Sequence, residues 1–120
     1  MPTDQFEARL ARVRHRFATT LESKISNAVV SADQMAHGDK RALECVSESY
    51  RHLHSISGIG PTVGFTATGE AAHAAKAALV QAYLEKRGPT EGEVNNLKKG
   101  LAKLRLTAAS ELRLMYQRGG

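Results

Sequence analysis

The stretch Arg51-His52-Leu53-His54-Ser55-Ile56-Ser57-Gly58 holds the residues best suited to chemistry. Leu53 and Ile56 belong to an apolar stripe at helical spacing, which sets His54 to one side of it, towards solvent. Helical side chains lean towards the N-terminus, so the residue at i+4 partly covers residue i. Four residues after His54 stands Gly58, which covers nothing. A glycine inside a helix costs roughly 1 kcal/mol against alanine; the gain is an imidazole open to a large partner, with the Ser57 hydroxyl three residues on. In an antiparallel hairpin turning near Pro61 to Phe65, level residues keep a nearly constant index sum, which places residues 68–76 opposite His54. His73 and Lys76 lie there, three apart on one face. An imidazole with a nearby ammonium and hydroxyl suits a phosphoryl group: one nucleophilic nitrogen, then donors for the charged oxygens.

Helices must position these groups. Phe6, Leu10, Val13, Phe17, Leu21, Ile25, Val29 and Ala32 form one stripe, with Asp4 and Glu7 spaced as a capping box at its start. Gly38 suits a left-handed stop and Asp39 a cap for the next helix. The second helix carries Leu43, Val46, Tyr50, Leu53 and Ile56, and Pro61 predicts its end near Gly60. An alanine-rich third helix spans residues 66–86 with Leu79 and Tyr83, and Gly88-Pro89 stops it. Thr90-Glu91-Gly92-Glu93 is a capping box for a fourth helix bearing Val94, Leu97, Leu101, Leu104, Ala108, Leu112 and Met115. No sustained strand alternation occurs. The expected fold is all-α, an antiparallel up-down four-helix bundle, in one domain over residues 1–120.

Composition agrees. The chain has 120 residues and 13.0 kDa, 3 prolines, no tryptophan, and alanine and leucine as a quarter of its length. No apolar run approaches a membrane span. The first residues, Met1-Pro2-Thr3-Asp4-Gln5, lack a signal-peptide layout, and the single cysteine, Cys45, forms no internal disulfide. A cytoplasmic location is expected. The net charge of +5 invites a nucleic-acid reading. The basic runs at residues 12–16 and 98–105 carry it, but no recognition motif or aromatic stacking set accompanies them. Nucleic acid is therefore a disfavoured partner.

The segment His54-Ser55-Ile56-Ser57-Gly58-Ile59-Gly60-Pro61-Thr62-Val63-Gly64-Phe65-Thr66 resembles the signature of histidine-containing phosphotransfer domains. It is most similar to the version found at the N-terminus of chemotaxis histidine kinases. Arg51, Glu70 and His73 fall at matching offsets, so the motif covers about residues 51 to 73 and the helical pattern extends the likeness along the chain. The resemblance implies a phosphoryl carrier, not a kinase, with His54 as phosphoacceptor. It implies a response-regulator receiver domain or a sensor histidine kinase as partner, docking around Arg51, Gly58 and Gly64. It implies no cofactor or metal of the chain's own, with Mg²⁺ supplied by the receiver. Two positions depart from the pattern: Ser57 stands where the family has lysine, and Lys76 where the chemotaxis version has a carboxylate. The expectation is that Lys76 stabilises the phosphoryl group in place of the missing lysine, with Ser57 and His73 in support. The alternatives are a degenerate bundle that binds a receiver or kinase without carrying phosphate, and a small basic nucleic-acid-binding protein.

The other polar residues have plainer readings. His52 sits roughly 200° around the helix from His54, so the two are no metal pair. His15 and His37 read as surface residues, Cys45 as a small core or boundary residue, and Glu70 as a first-turn charge. The glycines between residues 58 and 64 lack a preceding strand and a Gly-Lys-Ser/Thr ending, so they read as a tight helix turn rather than a nucleotide loop.

Overall fold

The structure, a computed structural model, describes residues 2–35 and 41–117. Among the described residues five helices follow one another: α1 (Pro2–Met35), α2 (Arg41–Thr62), α3 (Thr66–Ala77), α4 (Val80–Glu85) and α5 (Glu91–Gln117). Among the described residues there is no strand, and no helix is long and apolar enough to cross a membrane. The fold is all-α. Helix α1 packs on α2 and α5, α3 packs on the same two, and the short α4 lies against α2. Between them Leu21, Ile25, Leu53, Ile56, Leu97 and Leu101 are almost completely buried. Each such side chain contributes roughly 1.5–3 kcal/mol by leaving water.

The stripe on α5 is buried as its spacing predicts from Val94 to Ala108, with Leu112 and Met115 packed at its edge. On α1 the stripe holds only from Leu10 and Phe17 onward, while Phe6 and Val13 are exposed. Val13 is exposed between Leu10 and Phe17, both of which pack on the core, so the cover there is incomplete; for Phe6 the reason is length. Thirty-four residues at 1.5 Å make about 51 Å, close to the longest dimension of 53 Å. Arg14 is already level with the far end of α2, donating from Nε to the Val63 carbonyl at 2.8 Å. Leu10 is the first residue of the stripe to pack on the core, and Phe6 lies a further turn out. Leu43, near the start of α2, is likewise exposed, whereas Ala42 and Cys45 beside it are buried.

Two helix boundaries differ from expectation. Helix α2 continues through Pro61 to Thr62 instead of ending near Gly60. Proline restricts the preceding residue partly through that residue's Cβ, and Gly60 has none. Only the Ser57 carbonyl loses its helical donor. The stop comes at Gly64, at φ +94°, where Phe65 N–H donates to the Gly60 carbonyl (2.8 Å) and Gly64 N–H to the Pro61 carbonyl (3.4 Å). This is a left-handed cap that glycine makes without strain. The single helix expected over residues 66–86 is two. At the break, Ala78 N–H donates to the Ala75 carbonyl (3.2 Å) and Leu79 N–H to that of Lys76 (2.9 Å), a tightened 3₁₀-type turn. No glycine or proline causes it; the turn keeps Leu79 fully buried and sets Tyr83 against Tyr50. Helix α4 then ends ahead of Gly88-Pro89, with Lys86 itself left-handed at φ 52°.

The capping box of α5 is present on both sides. Glu93 N–H donates to Thr90 Oγ1 (3.1 Å), and Thr90 N–H to Glu93 Oε1 (2.8 Å). The expected cap pair of Asp4 with Glu7, the break at Gly38 and Asp39, and His37 fall outside the described residues or side chains, although α1 is helical already from Pro2.

Candidate functional site

His54 lies on α2 and is exposed, beside the fully buried Leu53 and Ile56. A Cβ built on Gly58 would meet nothing within 4 Å, so the space beside the imidazole is open. This glycine is not required by any contact within the protein.

The neighbouring glycines have the opposite character. A Cβ on Gly60 would come within 3.0 Å of the Phe65 carbonyl oxygen and 3.4 Å of Gly69 Cα. A Cβ on Gly69 would collide with Pro61, at 2.6 Å from Cδ and 2.8 Å from Cγ. Gly60 and Gly69 thus let α2 and α3 meet backbone to backbone, with the Pro61 ring seated on Gly69. The alanines of α3 continue this closeness: Gly100 of α5 has room for no Cβ, which would fall 2.9 Å from Ala75. This close hairpin brings Lys76 level with His54, within the range the index arithmetic assigns.

Lys76 is the buried member of the pair, 9% exposed, and its Nζ lies 3.2 Å from His54 Nδ1. Tyr50, one turn before His54 on α2, stacks parallel to the imidazole with centroids 6.1 Å apart and planes 6° from parallel. Tyr83 of α4 stacks on the other ring of this column, 3.9 Å from Tyr50, and Lys76 Nζ is 5.6 Å from the Tyr50 centroid. The ammonium therefore rests against an aromatic quadrupole as well as a ring nitrogen. An ammonium has only donors, so in its charged form Lys76 donates to Nδ1. Nε2 is the nitrogen left for a partner.

The remaining residues of the sequence analysis take different places. Ser57 does not face the imidazole: its hydroxyl donates to the His54 backbone carbonyl at 2.9 Å. A serine in a helix commonly bonds back to its own preceding turn. His73 is exposed on α3 and takes no part in the hydrogen bonds or ring contacts around His54 among the described residues. Arg51 is exposed, with Nε on the Ser47 carbonyl at 3.3 Å, and lines a shallow hollow with Leu43, Ser47 and Glu48. Gly64 serves the hairpin turn. Among the described residues no cluster of His, Cys, Asp or Glu could hold a metal ion. The basic run on α5 is partly spoken for, Lys98 pairing with Asp33 (3.2 Å) and Arg105 with Glu22 (3.6 Å) across to α1.

Sequence reasoning missed three contributors. Tyr50 and Tyr83 read in the sequence as members of the apolar stripes, yet Tyr50 is four residues before His54, the spacing at which side chains on one helix meet. Glu111 belongs to no motif in the sequence. Its Oε1 accepts from both Thr68 N–H and Thr68 Oγ1 at 2.6 Å, anchoring the first turn of α3. Its place between Ala108 and Leu112, beside a buried stripe, was the signal. Glu70 lies beyond the first turn of α3, which holds no acidic residue of its own.

No family model matches the chain, and no curated protein or solved structure matches it either.

Proposed function

We propose that this chain is a cytoplasmic histidine phosphotransfer protein, built as an antiparallel up-down four-helix bundle in which α4 prolongs α3. His54 accepts a phosphoryl group and exchanges it with the aspartate of a response-regulator receiver domain. In the accepting step the imidazole nitrogen attacks phosphorus, a new N–P bond forms, and the P–O bond breaks with its electrons returning to the aspartate carboxylate. The receiver supplies Mg²⁺ and the acidic pocket, and the basic excess of this chain steers the two together.

The observation that carries the reading is the open space over Gly58 beside an exposed imidazole gripped from below by Lys76 and Tyr50. A surface histidine without a task has no need of a glycine that its own fold does not require. A second reading, a module that binds a receiver without carrying phosphate, is favoured by one observation: the Ser57 hydroxyl, where the resemblance expects a lysine, is turned to the backbone.

Incubation with a phosphorylated receiver, or with a kinase and ATP, separates them. An acid-labile, base-stable label that disappears in His54→Gln supports the carrier. Receiver binding without label supports the second reading. Salt-dependent nucleic-acid binding without receiver binding overturns both.

A further inference from the structure

We propose that Lys76 is a positioning residue that fixes the proton of the neutral His54 ring on Nε2 and thereby biases the site towards giving up a phosphoryl group rather than taking one. The second half of this statement rests on the phosphotransfer reading; the first does not.

The argument begins with what an ammonium can do. Lys76 Nζ stands 3.2 Å from Nδ1, and a lysine in its charged form can only donate. Nδ1 must then offer its lone pair, and the single proton of the neutral ring sits on Nε2. Lys76 cannot easily look elsewhere: it is 9% exposed, and its Nζ is held over the Tyr50 ring. The imidazole is fixed in turn by stacking on Tyr50, itself stacked on Tyr83. A charge-assisted hydrogen bond of this kind supports a tautomer preference of roughly tenfold or more.

That preference acts in opposite senses on the two directions of transfer. To accept a phosphoryl group, Nε2 needs a free lone pair, so the proton must first move to Nδ1, where Lys76 opposes it. To give one up, the N–P bond at Nε2 breaks and its electron pair returns to the ring, while the aspartate oxygen forms the new O–P bond. The leaving ring would be an imidazolate unless Nδ1 gains a proton. Lys76 is placed to supply it, becoming a neutral amine that recovers a proton from water. A carboxylate in the same place would accept from Nδ1–H, free the Nε2 lone pair and favour loading.

Nitrogen-15 NMR of the unphosphorylated protein, at a pH where His54 is neutral, reads the tautomer directly. The wild type is expected to show a protonated Nε2 and a bare Nδ1, and Lys76→Glu the reverse. A protonated Nδ1 in the wild type, or the same tautomer in both proteins, overturns the proposal. Phosphoramidate, a small phosphodonor, then tests direction. Lys76→Glu and the donor-free Lys76→Met are expected to load at least threefold faster, and to lose label to a receiver at least threefold more slowly, than the wild type. Unchanged or opposite rates overturn the directional claim. Absence of label in every protein overturns it together with the phosphotransfer reading, whereas the tautomer stands or falls on the spectra alone.

Discussion

Gly58, Gly60, Gly69 and Gly100 all lie in helices, yet one substitution, glycine to alanine, meets a different environment at each. Alanine gains about 1 kcal/mol of helix propensity at an interior position. At Gly58 the added methyl touches nothing within 4 Å, so this gain is unopposed. Gly58→Ala should stabilise the protein by about 0.5–1 kcal/mol, raising Tm by roughly 2–5 °C for a domain of this size. At Gly69 the methyl would stand 2.6 Å from Pro61 Cδ, on a ring that cannot rotate away. Overpacking of this kind costs about 2–3 kcal/mol, which exceeds the propensity gain and leaves a net loss of about 1–2 kcal/mol. The assay is urea unfolding followed by helix signal, with the slope checked for constancy.

The two sites also make a coupling test. Pro61→Ala removes the ring and restores an N–H for the Ser57 carbonyl, so it should stabilise alone and also rescue Gly69→Ala. The double variant should be more stable than the sum of the two single effects predicts, by about 1 kcal/mol or more. Additive effects would show that the Pro61–Gly69 contact does not limit the approach of α2 to α3. A loss of stability in Gly58→Ala would refute the claim that this glycine is unconstrained by the fold, and with it the main support for a partner site over His54.

Four further outcomes are expected. Gly58→Leu should fold with at least wild-type stability but lose tenfold or more in His54 labelling by a phosphorylated receiver, because the residue at i+4 covers the imidazole. In the α5 capping box, Thr90→Ala should cost about 1 kcal/mol in urea unfolding. The Arg87 hydrogen bond, then the Thr90 backbone N–H, hold the Glu93 carboxyl down at about 2, below its ordinary 4.5. A depressed carboxylate stabilises fully above the unfolded value and loses that contribution as pH falls from about 4.5 towards 2, so Glu93→Gln should flatten that limb of the stability curve. Glu111→Leu strands both Thr68 donors, with Thr68 fully buried, and should cost about 1–3 kcal/mol; adding Thr68→Val should recover part of the loss on the hydroxyl side.

Much of the fold was legible because it depends on period and punctuation. The α5 stripe and its Thr90–Glu93 box are read directly from spacing, since a 3.6-residue repeat and two reciprocal hydrogen bonds are local properties. What escaped depends on partners distant in sequence. The break between α3 and α4 carries no glycine or proline, and follows from how Leu79 and Tyr83 must face α2. The passage of α2 through Pro61 depends on Gly60 before it and on Gly69 across the hairpin. Phe6 fits the stripe on α1 but lies a turn beyond Leu10, the first of the stripe to pack, and Val13 fits it but is exposed between Leu10 and Phe17; a stripe does not record where its cover is missing.

The site divides along the same line. That His54 is open and that Lys76 stands across from it follow from glycine placement and antiparallel register, both readable as index arithmetic. Which atom Lys76 reaches is not readable this way. A shift of a few ångströms separates an ammonium that meets phosphoryl oxygens beyond Nε2 from one that meets Nδ1, and the chemistry differs in sign. In the phosphotransfer reading proposed above, the first would hold a phosphoryl group in place, whereas the second would protonate the ring that releases it. Ser57 shows the same limit, for its hydroxyl is spent on the His54 carbonyl rather than offered beside the ring. A helix offers every serine that alternative, and only packing decides whether it is taken. The position of Lys76 is settled by burial against Tyr50 and by Tyr83 behind it, so the helix break at Ala78 and Leu79 bears on the site as well as the core. If that break sets the tyrosine column, Tyr83→Ala should loosen Tyr50 and partly release the Lys76–Nδ1 bond. The His54 tautomer in the nitrogen-15 spectrum would then become mixed, although among the described residues Tyr83 shares a ring contact with Tyr50 and none with His54.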